Sequence, residues 1–374
     1  MNVPASTFSS LPTATPGRLK HLADFYGLDL KFGAEVGGLE GEEAKEAVER
    51  GLKVRKGQSG KALDMVDFTL KQIARGGIHD HVGLGFHRYS VDKHWHVPHF
   101  EKMLYDQAQL CAAYLDAYQC TKDEFHAEIV RDIIQYVERD LLSPEGGFYS
   151  AEDADSYPVE GAKEKKEGAF AVWEREEILS AVGEEDASVF CSHFGVKPSG
   201  NVNPRNDPHG ELTDKNVLIQ RETLEETARR FDRSVEEIRG VLERVKAKLW
   251  EVRKGRPKPH RDDKVITSWN GLMISAIARA HQVLVLGKDP KSEDKHYLEL
   301  ATRAAEFFYE RMWDRGRKVL KRSFREGAGD VEGFADDYAF LVQGLLDLYE
   351  ANFEERWLEW AVELQETQDK LFWD

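Results

Sequence analysis

A pattern that opens a helix recurs three times along the chain. Polar residues beside an aromatic residue start the segments Tyr105–Ala108, Trp269–Leu272 and Asp336–Ala339, and a small-residue-rich apolar helix follows each. Asp or Asn at such a position can cap the helix, and a second apolar helix then returns, as in Glu128–Leu142 and Leu298–Trp313. Hairpins of this kind stack into a closed ring or a solenoid. Because the spacing is irregular and the polar loops are long, the sequence favours a closed toroid.

The predicted fold class is all-α, with only short strands in the loops. Apolar residues recur at helical spacing from Lys61 onward, and the further predicted helices are 103–118, 188–194, 235–250, 272–286, 335–349 and 357–372. Short strands are predicted at 85–89, 147–149, 169–173 and 319–320. A helix at Gly17–Tyr26 and a polar insertion at Gly33–Gly60 make up a predicted N-terminal segment, 1–60, ahead of a toroid domain at 61–374.

Charge and cysteine content exclude several classes of protein. The 374 residues include 52 Lys and Arg against 68 Asp and Glu, a net charge of -16, which argues against nucleic acid as a partner. Cys111, Cys120 and Cys191 form neither a disulfide framework nor a CxxC pair, so dithiol–disulfide exchange is not expected. No apolar run approaches the roughly 18 residues that a membrane span needs. The predicted location is the cytoplasm, with a mitochondrial presequence in Met1–Lys20 as the alternative.

Histidine is concentrated in one loop. His79, His81, His87, His94, His96 and His99 lie in one short stretch, out of 13 in the chain. Such a loop gathers groups that titrate near neutral pH around the start of a helix. The pairs at 79 and 81 or 94 and 96 could hold a metal, but no third ligand recurs at metal-site spacing, so no metal is predicted. The alternative is that single histidines are buried, hydrogen-bonded core residues.

Three further loops carry acids. Glu145–Ser156 places three carboxylates together, which could raise one another's pKa, bind sugar hydroxyls or simply be solvated. Arg256–Lys264 alternates in charge, as suits an ion-pair network at a pocket rim or a mobile loop. Gly333–Tyr338 puts paired acids at a helix start, where the helix dipole alone would favour them. No GxGxxG, GxxxxGK[ST], GxSxG or HExxH motif occurs, and no cofactor is predicted.

Six segments resemble the spermatogenesis-associated protein 20 family, the thioredoxin-domain proteins of the bacterial YyaL type. They read GGIHDHVGLGFHRYSVDKHWHVPHFEKMLYDQAQL, GGFYSAEDADS, EGAFAVW, NVNPRNDPHGELTDKNVL, RPKPHRDDKVITSWNGLMISAIA and GFADDYAFLVQGLLDLYE. The resemblance implies a thioredoxin-like domain followed by an (α/α)6 toroid similar to N-acylglucosamine and cellobiose 2-epimerases. The resemblance does not extend to the thioredoxin-like part, and relatives continue past Asp374, so we expect an incomplete toroid in a truncated homologue, a fragment or an incomplete gene model.

The toroid resemblance implies a carbohydrate enzyme, a sugar epimerase or isomerase, with glycoside hydrolysis as a variant. Epimerisation beside a carbonyl needs a base and an acid, commonly two histidines. The candidate catalytic residues are His81, His87, His99, Glu101, Asp106, Asp153 and Asp263. The candidate substrate-binding residues are Arg88, Trp95, Tyr105, Glu152, Asp155, Asp262, Trp269, Asn270 and Asp337, and the expected partner is a small molecule such as a sugar. The alternative function is a non-catalytic scaffold or a regulatory ligand-binding module.

Overall fold

The computed structural model describes residues 60–285 and 296–373. Contacts between Cα atoms divide the chain into two compact units, Met1–Thr69 and Leu70–Asp374. In the first unit, the described residues 60–69 are helical, and this helix, α1, continues to residue 75. The predicted helix at Gly17–Tyr26 and all but the last residue of the predicted insertion lie outside the described residues.

Helices make up most of the second unit. They are α2 (Leu104–Thr121), α3 (Glu124–Tyr136), α4 (Arg175–Val182), α5 (Glu184–His193), α6 (Leu224–Phe231), α7 (Val235–Lys254), α8 (Thr267–Leu284), α9 (Tyr297–Arg311), α10 (Ala335–Asn352) and α11 (Glu355–Phe372). A π-helical turn, Val137–Leu141, extends α3, and a 3₁₀ turn covers Pro204–Asn206. Within the described residues, no helix is long and apolar enough to cross a membrane.

The described strands are each two residues long. They are β1 (Tyr89–Ser90), β2 (Pro98–His99), β3 (Lys102–Met103), β4 (Ala151–Glu152), β5 (Asp155–Ser156), β6 (Lys166–Glu167), β7 (Arg261–Asp262), β8 (Val265–Ile266), β9 (Trp313–Asp314), β10 (Val319–Leu320) and β11 (Ser323–Phe324). They pair locally as β1–β2, β5–β6, β8–β11 and β9–β10, and as the three-stranded β3–β4–β7. The prediction of an all-α fold with small hairpins in its loops is confirmed.

Helices α2, α8 and α10 form an inner layer in which neighbours run parallel. Near its start, α2 contacts α8 through Tyr105 and Trp269, whose ring centroids lie 4.7 Å apart. Further along the same two helices, Arg279 pairs with Asp116. Since both contacts join positions equally far from the helix starts, α2 and α8 run in the same direction.

Glycine lets α8 and α10 approach closely. A Cβ added to Gly271 of α8 would lie 2.5 Å from the backbone nitrogen of Leu341 in α10. A Cβ added to Gly344 would lie 2.6 Å from the carbonyl oxygen of Gly271. Any side chain at either position would force the two helices apart.

Each inner helix is followed by an outer helix that packs back against it: α3 on α2, α9 on α8 and α11 on α10. Their shared core contains fully buried Tyr114, Ile133, Met273, Phe308 and Leu345. Burial of each such side chain contributes roughly 1.5–3 kcal/mol. An inner layer of parallel helices with outer antiparallel returns is the arrangement of an (α/α)6 toroid, as predicted.

Helices α4 to α7 pack around a second apolar core, with Trp173, Phe190 and Leu249 fully buried. Capping boxes at Thr223 and Ser234 start α6 and α7, because each hydroxyl accepts from the N–H three residues on and a glutamate returns the bond. The short helices α4 and α6 were not predicted. The predicted strand at 169–173 is wrong: a turn covers 168–171, and only Trp173 forms a bridge, with Asn216.

Candidate functional site

A three-stranded sheet joins three of the loops singled out above. In register, Lys102 of β3 lies opposite Glu152 of β4, and Glu152 lies opposite Arg261 of β7. The fourth loop is held nearby because β11 pairs with β8 and the Oδ1 of Asp337 accepts a 2.9 Å hydrogen bond from the backbone N–H of Ser268. The loops that carry the candidate residues therefore meet at the starts of the inner helices.

The candidate residues at this end of the molecule fall into two groups. We call the first the Asp80 cavity; it is lined by four acids and four bases, together with His87, Tyr136 and apolar residues. The charged members are Asp80, Asp140, Glu152, Asp153, Lys102, Arg139, Arg253 and Lys258. We call the second the His99 cluster; it consists of Arg88, His99, Glu101, Tyr105 and Asp106, with Glu167 on its edge.

A buried ion-pair network forms the floor of the Asp80 cavity. Both guanidinium Nη atoms of Arg253 donate to the Asp80 carboxylate at 2.7 Å, and Lys102 Nζ donates to Asp80 Oδ2 at 2.7 Å. Burial alone would raise the pKa of Asp80, but the charges of Arg253 and Lys102 outweigh it and lower that pKa well below its usual value. All three side chains are buried, so the network is a fixed support of the cavity wall.

Two titratable groups face this network. Burial, followed by the charge of Lys102, lowers the pKa of His87 to about 3, so the ring is neutral at neutral pH. Burial raises the pKa of Glu152, whose Oε2 accepts a 2.7 Å hydrogen bond from the Tyr136 hydroxyl. The cavity has a volume of about 20 Å³. It admits about one water molecule but not a sugar ring.

The His99 cluster is half-exposed and linked by ion pairs. His99 Nδ1 lies 2.6 Å from Glu167 Oε1, and its Nε2 lies 3.2 Å from Glu101 Oε2. The same Glu101 oxygen accepts a 3.0 Å hydrogen bond from Arg88 Nη1. A histidine held between two carboxylates is well placed to carry and release a proton.

Asp106, in the first turn of α2, stands apart from these pairs. Burial raises its pKa to about 6, against the smaller lowering by the charge of Arg88. Its Oδ2 is buried and has no hydrogen-bond partner in the part of the chain that the structure describes. A carboxyl group that titrates near neutral pH and keeps one oxygen unengaged has the properties of an acid–base catalyst.

Several candidate residues lie at the rim of the two groups. Asp153 lines the Asp80 cavity and lies 3.7 Å from Lys165 Nζ. Burial and then the charge of Asp153 raise the pKa of exposed Asp155, as the crowding of acids predicted. Asp262 pairs with Lys264 at 3.1 Å, and Asp263 pairs with Arg325 at 2.7 Å.

Four candidate residues make internal contacts instead of lining either group. His81 Nε2 bonds the Gly76 carbonyl at 2.9 Å, and its ring packs against Phe194. The Trp95 side chain packs against the toroid core, and its backbone carbonyl accepts a hydrogen bond from the backbone N–H of Ile78. Fully buried Asn270 bonds both the N–H and the carbonyl of Phe148. The carboxylate of fully buried Asp337 accepts hydrogen bonds from the backbone N–H of Ser268 and from the guanidinium of Arg322.

Sequence reasoning missed five residues that build these groups: Asp80, Lys102, Tyr136, Glu167 and Arg253. Asp80 and Arg253 lie far apart in the sequence, and their pairing depends on α7 packing beside the first loop. One local signal was available. Asp80 lies between two glycine-rich turns, and its carboxylate accepts from the backbone N–H of Gly83 at 2.8 Å.

No protein-family model matches the chain. It is 48% identical over 331 residues to spermatogenesis-associated protein 20 of Homo sapiens, a match that covers 84% of this chain and 41% of that protein. The protein of the same name from Mus musculus is 47% identical over the same length. An uncharacterised protein of Caenorhabditis elegans is 45% identical over 336 residues, covering 85% of this chain and 45% of that protein.

The predicted resemblance to the spermatogenesis-associated protein 20 family is confirmed over these residues. It spans about two fifths of the length of these relatives.

Solved structures with similar folds include two sugar-converting enzymes. The cellobiose 2-epimerase of Spirochaeta thermophila matches 82% of this chain and 54% of its own, with 12% identity and a TM-score of 0.41. A D-mannose isomerase matches 82% of this chain and 86% of its own, with 13% identity and a TM-score of 0.24. Similarity at this level says nothing about the activity of the chain.

Proposed function

We propose that the His99 cluster removes and returns a proton at a carbon beside a sugar carbonyl, the chemistry of a sugar epimerase or isomerase. The observation that carries this proposal is Asp106, whose pKa is about 6 and whose Oδ2 is buried and unengaged within the described residues. Such a group is mostly ionised at pH 7 yet holds a proton readily once it has taken one, as a general base requires.

His99 supplies the acid in this proposal. When protonated, its ring donates through both nitrogens, towards Glu167 at 2.6 Å and Glu101 at 3.2 Å. The longer of these two contacts is the one that a substrate oxygen or carbon could replace. The pair is therefore a carboxyl and a histidine, in place of the two histidines expected from the sequence.

Arg88 and Tyr105 are hydrogen-bond donors that can stabilise the negative charge developing on the carbonyl oxygen. Arg88 donates a hydrogen bond to Glu101, so its guanidinium is held in place before substrate binds. The Tyr105 and Trp269 rings meet edge to face beside Asp106, and aromatic faces of this kind stack on sugar rings. His81 and His87 have no proton-transfer role in this scheme because burial lowers the pKa of both.

The test is exchange of the sugar C2 proton for deuterium, followed by proton NMR in D₂O with glucose, mannose, N-acetylglucosamine and cellobiose. Exchange reports proton abstraction even when the net conversion is small. Asp106→Asn should reduce the exchange rate about 10²–10⁴-fold. In the wild type, the rate should rise with pH through about 6 as Asp106 ionises.

Asp116→Asn is the matched control, since Asp116 is exposed on the same helix and pairs with Arg279. Its exchange rate should equal that of the wild type. Equal rates in Asp106→Asn and the wild type would remove Asp106 from the mechanism. No exchange with any of the four sugars would favour the non-catalytic ligand-binding module.

A further inference from the structure

We propose that an acid-sensitive latch joins the loop 76–87 to helices α4–α7, and that protonation of its two histidines releases α5 from that loop. The latch consists of His81, His193 and Lys246, which surround the ring of Phe194. This inference does not rest on the proposed catalysis at the His99 cluster. It rests on the distances within the latch, on the burial of its histidines and on the surrounding acids, none of which pairs with a latch residue in the described part of the chain.

Three basic side chains converge on one buried aromatic ring. Phe194 follows α5 directly, and its side chain is fully buried. The ring centroids of His81 and His193 each lie 4.9 Å from that of Phe194. Lys246 Nζ lies 5.4 Å from the same centroid. Because His81 belongs to the loop, His193 to the end of α5 and Lys246 to α7, the ring marks the place where these three segments meet.

The hydrogen bonds of both histidines suit a neutral ring that carries a single proton. His81 Nε2 lies 2.9 Å from the carbonyl oxygen of Gly76, and a carbonyl only accepts, so Nε2 carries the proton. His193 Nδ1 lies 2.8 Å from the hydroxyl oxygen of Thr227, which itself donates to the carbonyl of Thr223 at 3.1 Å. The Thr227 oxygen therefore accepts from Nδ1. A second proton on either ring would lie on the opposite nitrogen, which has no hydrogen-bond partner among the described residues.

Burial and the neighbouring cation both oppose protonation of these rings. Burial, followed by the charge of Lys246, lowers the pKa of His193 to about 4. Burial, followed by the charges of His79 and Lys246, lowers the pKa of His81 well below its usual value. Protonation of both rings would place three positive charges around Phe194 in a region of low dielectric, which is costly. Acid should therefore favour a state in which the rings are separated and reach water.

The acids that face the latch within the described residues are exposed or bound to another group. They are Asp80, Glu128, Asp132, Glu222 and Glu243. Asp80 is paired with Arg253. Asp132 lies 3.2 Å from His79 Nε2, and Glu222 lies 2.7 Å from Arg230. Glu128 and Glu243 are exposed. None of these carboxylates is placed to compensate a new charge on His81 or His193.

The pair between Arg253 and Asp80 limits how far the opening spreads. Burial raises the pKa of Asp80, but the charges of Arg253 and Lys102 outweigh it and hold that pKa well below its usual value, so weak acid does not break the pair. Arg253 follows Lys246 by seven residues on α7, about 10 Å along the helix axis. The end of α7 therefore stays attached to the loop while α5 is released.

The three cysteines of the chain provide the test. Cys191 is buried in α5, Cys111 is buried in α2, and Cys120 is exposed. The full chain is labelled with 4,4′-dithiodipyridine at pH 7.0 and pH 4.5, and mass spectrometry of peptides gives the rate at each cysteine. The rate at Cys120 corrects for the effect of pH on the reagent.

Release of α5 should expose Cys191 and leave Cys111 protected. The pKa of His193 is about 4 in the latch and returns to about 6.5 on release. Opening should therefore become about 10–100-fold more favourable between pH 7.0 and pH 4.5, and the ratio of the Cys191 rate to the Cys120 rate should rise by this factor.

Two variants remove parts of the latch. Lys246→Met keeps the hydrocarbon stem but removes one positive charge, and His193→Gln cannot titrate, so in each the rise should be at least threefold smaller than in the wild type. Lys248→Met is the matched control, because Lys248 is exposed on the same helix, and its rise should equal that of the wild type. The proposal is overturned if Cys191 and Cys111 become labelled together, if the ratio does not change with pH, or if Lys246→Met and Lys248→Met give the same rise.

Discussion

The Asp80 cavity and the His99 cluster are built from the same loop and the same kinds of residue, yet they differ in how their charges are matched. In the cavity, Asp80, Lys102 and Arg253 are buried and fully paired. In the cluster, the ion pairs of His99 and Arg88 are half-exposed, and one oxygen of Asp106 has no hydrogen-bond partner among the residues that the structure describes. Whether a charged residue supports the fold or is able to react therefore depends more on its burial and its ion-pair partners than on its residue type.

The pKa shifts of the two regions also have opposite consequences. In the cavity, burial lowers the pKa of the base His87 to about 3, and in the cluster burial raises the pKa of the acid Asp106 to about 6. Both shifts favour the neutral form, as desolvation requires. The stability of the folded chain should therefore respond to pH in opposite directions through these two residues.

The largest expected effect comes from breaking the buried network. Asp80→Asn removes the charge that both Arg253 and Lys102 require and leaves two buried cations uncompensated. The free energy of unfolding, measured with urea at pH 7, should fall by about 3–5 kcal/mol.

Asp186→Asn is the control for that experiment. It breaks an ion pair with exposed Arg244 at 3.4 Å, and such pairs contribute about 0–1 kcal/mol. Similar losses in the two variants would mean that the Asp80 network is not a special support of the fold.

The next largest effect is the loss of folding stability at acid pH. His87 has a pKa of about 3 in the folded chain and about 6.5 when unfolded, so the unfolded chain binds more protons between these values. Its contribution to stability is complete above pH 6.5 and is lost as the pH falls towards 3. Between pH 7 and 4.5 the loss should be about 2–3 kcal/mol.

His87→Gln cannot titrate, so its stability should fall less than that of the wild type by about this amount. Urea unfolding at both pH values measures the difference. Parallel losses in the two proteins would place the folded pKa of His87 near its ordinary value.

A smaller effect of opposite sign is expected for Asp106. Its pKa is about 6 in the folded chain and about 3.8 when unfolded, so the folded chain binds more protons and loses stability as the pH rises through this window. Because solvent screens this half-exposed group, ionisation of Asp106 lowers the free energy of unfolding above pH 7 by only about 1 kcal/mol. Asp106→Asn should therefore stabilise the chain at pH 8 and not at pH 4, again by urea unfolding. A gain that is equal at both pH values would indicate a cause other than ionisation.

The fold was more predictable than the site. Apolar spacing located both helices of the hairpins α2–α3, α8–α9 and α10–α11, because each helix must bury one face in the common core. The helices α4 and α6 were missed because each is only eight residues long, and short segments give little periodicity. The continuous apolar run at 169–173 predicts a strand, but its first residues form a turn that begins at Gly168, whose carbonyl accepts from the backbone N–H groups of Ala171 and Val172.

The site was predictable only as a set of loops. The sequence located the acids and histidines, but it could not show which would be buried. His81 and His87 look equivalent to His99 in the sequence, yet both bond backbone carbonyls and are buried. The deciding partners, Arg253 for Asp80 and Glu167 for His99, come from distant segments whose approach depends on packing.

The smallest effect is expected at Asp263, a residue that the sequence made a catalytic candidate. Its Oδ1 lies 2.7 Å from Arg325 Nε, and both side chains are about half-exposed. Such a pair gains little because water screens the charges and two long side chains lose freedom. Asp263→Asn should change the free energy of unfolding by less than about 1 kcal/mol, and the change should shrink further in 1 M salt. It should also leave sugar C2 exchange unaltered, since Asp263 does not belong to the His99 cluster. A large loss of exchange with stability preserved would instead place Asp263 in the reaction and move the catalytic centre from Asp106 towards the start of α8.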